Sequence, residues 1–226
     1  MILASWNVRA GHPLQHAAKL RTWRDADVIA LQECRKPAPL DPHVAWAGTI
    51  QHKGLAVVTR DGVRSRVWHG AHTADCLPVD IESPVPFVFV GAWTHPTAGQ
   101  TYPECLRNAL RSHLPALGGH DVVVAGDFNS HPVFDRATRR FTHADLMQWL
   151  YDELGLVSAW HAVTGEVIGA ESQPTYYHRF KQDDAFHIDY ICVPERWVPK
   201  IARVEIGGYD EWVISDHRPI AVEVGA

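Results

Sequence analysis

The chain has 226 residues and a formal net charge of −5 with histidine neutral, and 46% of its residues are hydrophobic. This length and apolar content fit a single α/β domain that spans residues 1–226 and has a sizeable core. The negative charge argues against a broad basic face that grips long nucleic acid, although a local basic rim is compatible with it.

The N-terminus and the cysteines bear on the cellular location of the protein. The first residues lack a basic region and a long apolar run, so we expect no signal peptide. No apolar run approaches the roughly 18 residues that span a membrane. The four cysteines have no zinc-binding spacing and are expected to be buried thiols. We therefore expect a monomeric cytoplasmic protein with no membrane contact.

Hydrophobic runs and periodicities predict more strands than helices. In chain order they predict a strand at 2–6, a helix at 14–23, strands at 26–32, 54–60, 63–69 and 87–93, a helix at 103–117, a strand at 122–125, a helix at 143–154, and strands at 188–193, 201–206 and 219–224. Residues 37–42 and 165–174 are rich in loop-forming residues. Because many strands follow one another directly, two packed mixed sheets with outer helices are favoured over one doubly wound sheet.

The stretch 121–130 carries the strongest functional signal. Its apolar run reads as a buried strand, and Gly126 marks a tight turn. Asp127 and Asn129 follow at the carboxyl end, where α/β sheets place their ligands, and their spacing points them to one side. Taken alone, these residues also suit an ordinary turn.

Polar residues recur at the ends of other predicted strands, where packing of the hydrophobic core does not require them. Each one alone is more often structural than catalytic, but together they predict a cleft at one sheet edge. They are Asn7, Gln32, Glu33, Thr94, His95, Asp189 within an apolar strand, and the Ser215–Asp216–His217 run before the last strand.

This ordered set resembles the endonuclease/exonuclease/phosphatase superfamily, which includes deoxyribonuclease I-like and exonuclease III-like enzymes. The matching segments run from Trp6-Asn7 through Gln32-Glu33, Trp93-Thr94-His95, Gly126-Asp127-Phe128-Asn129 and His187-Ile188-Asp189-Tyr190 to Ser215-Asp216-His217. The resemblance implies a four-layer α/β/β/α sandwich. It also implies hydrolysis of a phosphate ester that depends on Mg²⁺ or Mn²⁺.

The resemblance also implies a role for each matched residue. Glu33 would bind the metal, and Asp216 and Asn7 would complete or orient that site. Asp127 would deprotonate the attacking water, which Asn129 would help to place. His217 would stabilise negative charge on the phosphate, Asp189 would orient His217, and His95 would contact the phosphate or the leaving oxygen.

The chain departs from the family pattern at two places. Arg9 stands where exonuclease III-like enzymes usually carry an acid, so metal binding would rest more heavily on Glu33. Deoxyribonuclease I-like members pair their histidine with a glutamate one strand earlier. Lys53, Gly54 and Leu55 contain no acid, so they offer no such partner, and the role of His95 in proton transfer stays open.

Several residues are candidates for substrate contact. Arg9 and Arg35 each follow a proposed site residue by two positions and would reach flanking phosphates; the alternative is a surface ion pair with Asp25 or Asp41. Trp212 would stack on a base, or pack half-buried. The remaining candidate is Arg107 on the second predicted helix, for which solvent exposure is the alternative.

Three functions fit these observations. The leading hypothesis is a metal-dependent phosphodiesterase that cleaves nucleic acid, with DNA favoured. The second is a hydrolase of a small or lipid phosphate, although the chain lacks a basic amphipathic stretch for membranes. The third is a binding module that kept the fold and lost catalysis, which would leave gaps among the catalytic residues.

Overall fold

The computed structural model describes residues 1–38, 41–68, 75–96, 99–136 and 138–225. Its strands are β1 (Ile2–Asn7), β2 (Val28–Cys34), β3 (Val44–Ile50), β4 (Lys53–Thr59), β5 (Arg64–Val67), β6 (Cys76–Ser83), β7 (Phe87–Trp93), β8 (Val122–Asp127), β9 (Leu156–Ser158), β10 (Tyr176–Tyr177), β11 (Ala185–Phe186), β12 (Asp189–Pro194), β13 (Ile201–Ile206) and β14 (Ile220–Val224). Its α-helices are α1 (Pro13–Arg24), α2 (Tyr102–Leu117), α3 (His143–Leu154) and α4 (Ala159–Thr164).

The strands form two six-stranded mixed sheets and one small hairpin. The first sheet has the order β13-β14-β1-β2-β4-β3, and the second has the order β5-β6-β7-β8-β12-β9. In the first sheet β1 is parallel to β2, and in the second β7 is parallel to β8. β14 is antiparallel to β1, and β12 is antiparallel to β8.

The two sheets pack face to face, and helices cover their outer faces. Val57 of the first sheet and Phe89 of the second lie in one shared core. Leu20 of α1 packs on the outer face of the first sheet, while Leu110 of α2 and Leu146 of α3 pack on the outer face of the second. The predicted four-layer α/β/β/α sandwich is confirmed.

Most predicted helices and strands are present with small shifts at their ends. The third predicted helix is α3, which ends before Gly155 in the left-handed conformation that glycine favours. The strand predicted at 63–69 is the shorter β5, and His69 lies outside the described residues. The sequence missed β3 and β6, because Gly48 and Pro78 within them weaken a strand pattern.

Two further expectations concern the cysteines and the membrane. All four cysteines are buried and none forms a disulfide, as predicted. Within the described ranges, no helix combines the length and apolarity needed to cross a membrane.

Candidate active site

The strand directions bring the candidate residues to one edge of the two sheets. β1 ends there with Asn7, and β8 ends there with Asp127. Because β12 is antiparallel to β8, it begins at the same edge, and its first residue Asp189 pairs in register with Asp127. β14 is antiparallel to β1, so His217, just before β14, returns to that edge.

The turn after β8 holds Asp127 in a fixed position. A β-carbon on Gly126 would lie 1.8 Å from the carbonyl oxygen of Ala92 on β7, so only glycine allows this approach. Asn129 adopts a left-handed conformation with φ 48°. Its backbone N–H donates to Oδ1 of Asp127 at 2.8 Å and its Nδ2 donates to Oδ2 at 3.1 Å. Asn129 therefore orients the Asp127 carboxylate.

Asn7 connects this carboxylate to Glu33. Its Nδ2 lies 2.9 Å from Oδ2 of Asp127 and 3.4 Å from Oε1 of Glu33. Its Oδ1 accepts the backbone N–H of Arg9 at 3.0 Å. If the Asn7 amide were reversed, its NH2 group would face the backbone N–H of Arg9, and two donors would oppose each other. Nδ2 of Asn7 must therefore face the carboxylates. Of the two predicted roles for Asn7, orientation fits this geometry better than ligation.

His217 and Asp189 form a buried pair next to Asp127. Nδ1 of His217 lies 2.9 Å from Oδ2 of Asp189, and its Nε2 lies 3.9 Å from Oδ2 of Asp127. Thr175 Oγ1 accepts the backbone N–H of Asp189 at 3.0 Å. Ser215 Oγ accepts the N–H of His217 and donates to the carbonyl of Asn7. The imidazole is therefore fixed at both its ring and its backbone.

Burial and the neighbouring charges shift the pKa values of this group. Burial raises the pKa of Asp127, and the nearby Asp189 raises it further, while His217 opposes the shift. Burial alone would lower the pKa of His217, but Asp189 and Asp127 outweigh it and raise that pKa. The arrangement thus favours a charged imidazolium beside a carboxyl group that is more basic than usual.

A β-bulge aims Glu33 at the same edge. The β2–β4 register shifts between Leu31 and Cys34, and Glu33 adopts a left-handed conformation with φ 60°. Such bulges redirect side chains near functional sites. Nζ of Lys53 lies 2.8 Å from Oε2 of Glu33, which sequence reasoning did not foresee.

Asp216 lies beside the cleft but makes no direct bond to Glu33 or Asp127 among the described contacts. It is half-buried, and its charge acts on Tyr176 and His217. This position is compatible with the predicted role of completing or orienting the metal site.

His95 has an acid partner that the sequence analysis did not find. Its Nδ1 lies 3.0 Å from Oδ1 of Asp75, which also accepts the backbone N–H of His95 at 2.8 Å. Asp75 immediately precedes β6, a strand that the sequence analysis missed. The acid that pairs with His95 therefore precedes β6 and does not lie on β4, the strand that begins at Lys53.

The four predicted substrate contacts fall into different environments. Trp212 is only 4% exposed and packs edge-on against Trp6 and Trp23, so the prediction that it stacks on a base is wrong. Arg107 lies over the Phe141 ring at 4.2 Å and bonds Asn108, and no described contact joins it to the cleft residues.

Arg9 and Arg35 remain available at the surface. Arg9 lies 5.2 Å from the centre of the Phe180 ring, and Arg35 is exposed. Neither forms an ion pair with Asp25 or Asp41 in the described part of the chain, where Asp25 is paired with Arg60 instead. The alternative of an ion pair with either of these acids is therefore not realised.

Sequence reasoning missed two tyrosines near the catalytic group. The Tyr176 ring lies 4.7 Å from the His217 ring. The pKa of Tyr176 is raised by burial and by Asp216, Asp127, Asp184 and Glu33. Burial and Asp127 also raise the pKa of Tyr102 at the start of α2. Both tyrosines and Asn129 line a cavity of about 400 Å³. Neither tyrosine adjoins one of the polar segments in the sequence, so no local pattern marked them.

The carboxylate oxygens at this edge, and not the charged His217 ring, fit a hard divalent cation. Within the described ranges, Asp127, Asp189 and His217 are the one group whose potential ligand atoms all lie within 4.8 Å of one another. Oδ1 of Asp189 is buried and has no hydrogen-bond partner there, and Asn7 brings Glu33 next to this group. Carboxylate oxygens are the ligands that Mg²⁺ and Mn²⁺ prefer.

A family model described as the Endonuclease/Exonuclease/phosphatase family matches residues 4–217. The chain therefore belongs to this family, whose members hydrolyse phosphate esters, and the resemblance inferred from sequence is confirmed. A comparison with curated proteins finds no matching sequence.

Solved structures share the fold at low sequence identity. The 3′-5′ exonuclease NExo from Neisseria meningitidis superposes with a TM-score of 0.70 at 19% identity, covering 100% of both chains. A structure described as the 3′ phosphatase NExo from Neisseria bound to product DNA hairpin gives the same TM-score, sequence identity and coverage. The endonuclease domain of TRAS1, a telomere-specific non-LTR retrotransposon, has a TM-score of 0.71 at 16% identity, covering 99% of this chain and 97% of that one.

Proposed function

We propose that this protein is a divalent-metal-dependent phosphodiesterase that cleaves nucleic acid, with DNA favoured. The observation that carries the proposal is the single network in which Asn7 joins Glu33 to Asp127 and in which Asp127 faces the His217–Asp189 pair. Family membership supports ester hydrolysis. The described nuclease activities of NExo and TRAS1 support a nucleic acid substrate.

Each residue of the network has a chemical role in this proposal. Asp127 would accept a proton from the attacking water, since its raised pKa makes it a better base. Asn129 would keep the carboxylate in place, and His217 would stabilise negative charge on the phosphate oxygens. Asp189 would hold the His217 ring in its orientation, and His95, oriented by Asp75, would contact the phosphate or the leaving oxygen.

Glu33 would hold Mg²⁺ or Mn²⁺, with Asp216 completing the site and Asn7 orienting it. The bound cation would supply charge neutralisation at the phosphate. We further propose that residues 1–226 act as one catalytic domain, because both sheets contribute residues to this single cleft.

The test is a substrate screen with wild-type protein. The protein is incubated with Mg²⁺ or Mn²⁺ and labelled duplex DNA, single-stranded DNA, RNA, nucleotides or phosphoinositides. We expect cleavage of nucleic acid and strongest cleavage of DNA. Release of phosphate only from nucleotides or phosphoinositides would instead support the small-phosphate alternative. No hydrolysis of any substrate would support the non-catalytic binding module.

Arg35→Ala should weaken nucleic acid binding more than it slows chemistry. If the exposed guanidinium contacts a phosphate, its loss should raise KM more than it lowers kcat and reduce the salt slope of binding by about one unit. The measurement is binding of a non-cleavable oligonucleotide at several salt concentrations.

Arg203→Ala is the matched control, because Arg203 is paired with Glu223 on the edge of the first sheet. Its salt slope should equal that of the wild type. Identical slopes for the Arg35 variant and the wild type would remove Arg35 from the binding surface.

A further inference from the structure

A second cluster of titratable side chains lies buried behind the cavity that opens beside Asn129. The Glu171 carboxylate, whose side chain is only 3% exposed, bridges two histidines. Its Oε2 lies 3.1 Å from Nε2 of His131, and its Oε1 lies 3.0 Å from Nε2 of His161. Oε1 also accepts the backbone N–H of Gly169 at 2.8 Å. We call this His131–Glu171–His161 arrangement the histidine bridge.

The bonds of His131 define its tautomer. Its Nδ1 accepts the backbone N–H of Val133 at 3.2 Å. A nitrogen that accepts carries no proton, so the proton of a neutral ring lies on Nε2 and is donated to Glu171. His131 therefore ties the turn at Val133 to the loop that carries Glu171.

The tied segment forms one wall of the cavity. Ser130, His131, Val133 and Phe134 all line it, next to Asn129. Val133 is 61% exposed and Phe134 is 38% exposed, so burial alone does not hold these side chains. Phe134 packs on Phe186 with ring centres 4.8 Å apart and on His131 at 6.0 Å. Ser130 Oγ lies 2.9 Å from Nδ1 of His143, and Asp135 accepts the backbone N–H of His143, so both ends of the wall are anchored at α3. Between these anchors, the positions of Val133 and Phe134 depend on His131.

The electrostatics of the cluster favour a charged Glu171. Burial would raise its pKa, but the hydrogen bonds from His131 and His161 outweigh burial and hold the pKa well below its usual range. Burial lowers the pKa of His143 to about 3 and that of His187 to about 4, so both rings are neutral near pH 7. Hydrogen bonds to an ionised carboxylate are stronger than neutral ones.

We propose that Glu171 is a positioning residue that holds the Ser130–Phe134 wall of the cavity through His131 and thereby sets the affinity for the substrate. This role rests on the proposed function, and it adds that the cavity, which Asn129 lines, receives part of the nucleic acid next to the scissile phosphate. Glu171 itself does not line the cavity, so it acts only through His131.

The effect should fall on binding because the catalytic group is held independently. Asn129 is fixed by its own bonds to Asp127 and to the carbonyl of Thr94. Asp127 is fixed by Asn7 as well. Loss of the histidine bridge would therefore loosen the turn at Val133 and Phe134 and leave the reacting atoms in place.

The kinetic test compares Glu171→Ala with two matched variants. Glu166→Ala removes a carboxylate of the same loop that bonds Trp160 and Ser172 and does not contact His131. Glu171→Gln keeps the shape of the side chain. Its oxygen can accept from His131, and its amide can donate to Nε2 of His161 if the His161 proton moves to Nδ1 and is donated to Ser158. The bond from the Gly169 N–H is lost, because that donor then faces the amide nitrogen.

We expect Glu171→Ala to raise KM on labelled DNA about tenfold with kcat nearly unchanged, which is the pattern of lost uniform binding. Glu171→Gln, which keeps the bond to His131, should restore KM in part, and Glu166→Ala should retain the wild-type value. The proposal is overturned if Glu171→Ala retains the wild-type KM, if it lowers kcat without raising KM, or if Glu166→Ala has the same effect.

Amide hydrogen exchange tests the bridge without any activity. Glu171→Ala should speed exchange in residues 131–136 at least several-fold, while Glu166→Ala should not. If Glu171→Ala does not fold, His131→Asn replaces it, because the asparagine oxygen can still accept from Val133 but cannot reach Glu171. Unchanged exchange in 131–136 would overturn the positioning role. Faster exchange in a protein that hydrolyses no substrate would refute only the proposed function.

Discussion

Asp127→Asn should lower kcat by a factor of about 10² or more, with a smaller effect on KM. Asparagine keeps the size of the side chain, but it cannot accept a proton from the attacking water. Asp127 is 1% exposed and is held by both Asn7 and Asn129. A base from bulk solvent therefore cannot reach its position in the variant. Steady-state kinetics on labelled duplex DNA with Mg²⁺ measures both constants.

Asp121→Asn is the matched control because Asp121 immediately precedes the same strand, β8, at the end away from the cleft, where its carboxylate accepts from Trp197. That variant should retain the wild-type kcat.

His217→Ala and Asp189→Asn should also lower kcat. The triple variant with Asp127→Asn should lose far less activity than the product of the three single losses, because the residues act as a unit. A fully multiplicative loss would contradict a shared site.

The fold was predictable from local sequence because its core strands are long apolar runs. β7, β8 and β12 are buried along their whole length, and such runs are recognisable without knowledge of their partners. β6 was missed because Pro78 and Asp80 interrupt its apolar pattern. The pairing of β6 with β7 places that proline in a sheet, which local propensity disfavours and tertiary context overrides.

The catalytic group was partly predictable for a related reason. Residues at the carboxyl ends of neighbouring parallel strands meet at one edge of a sheet, so Asn7 could be placed near Gln32, and Asp127 near Thr94, from sequence. That these two groups face each other depends on how the two sheets pack. The pairing of Asp75 with His95 depends on the position of β6, and the Lys53–Glu33 contact depends on a β-bulge. Neither of these two contacts is marked by a local pattern in the sequence.

Trp212 shows the limit of reading an aromatic residue near a site. A tryptophan close to Asp216 in sequence suggests a stacking surface, but the same spacing also allows its ring to turn inward. Here it turns inward and packs against Trp6 and Trp23. Which direction an aromatic side chain takes is decided by partners that are distant in sequence, such as Trp6.

Glu33→Gln should lower turnover by a factor of about 10² or more and weaken cation binding. The bulge in β2 aims this carboxylate at the cleft, and Oε1 lies 3.4 Å from Nδ2 of Asn7. Glutamine keeps the length of the side chain but removes the charge that a hard divalent cation requires. Excess chelator should likewise abolish wild-type activity, and added Mg²⁺ or Mn²⁺ should restore it.

Binding of Mn²⁺, followed by electron paramagnetic resonance, provides a readout that does not depend on turnover. Glu223→Gln is the matched control, because Glu223 lies on β14 and pairs with Arg203. That variant should bind Mn²⁺ as the wild type does, whereas Glu33→Gln should bind it at least several-fold more weakly. Lys53 competes for Oε2 of Glu33 at 2.8 Å, so Lys53→Ala should bind Mn²⁺ more tightly. Full activity of the wild type in excess chelator, or unchanged Mn²⁺ affinity in Glu33→Gln, would contradict the assignment of Glu33.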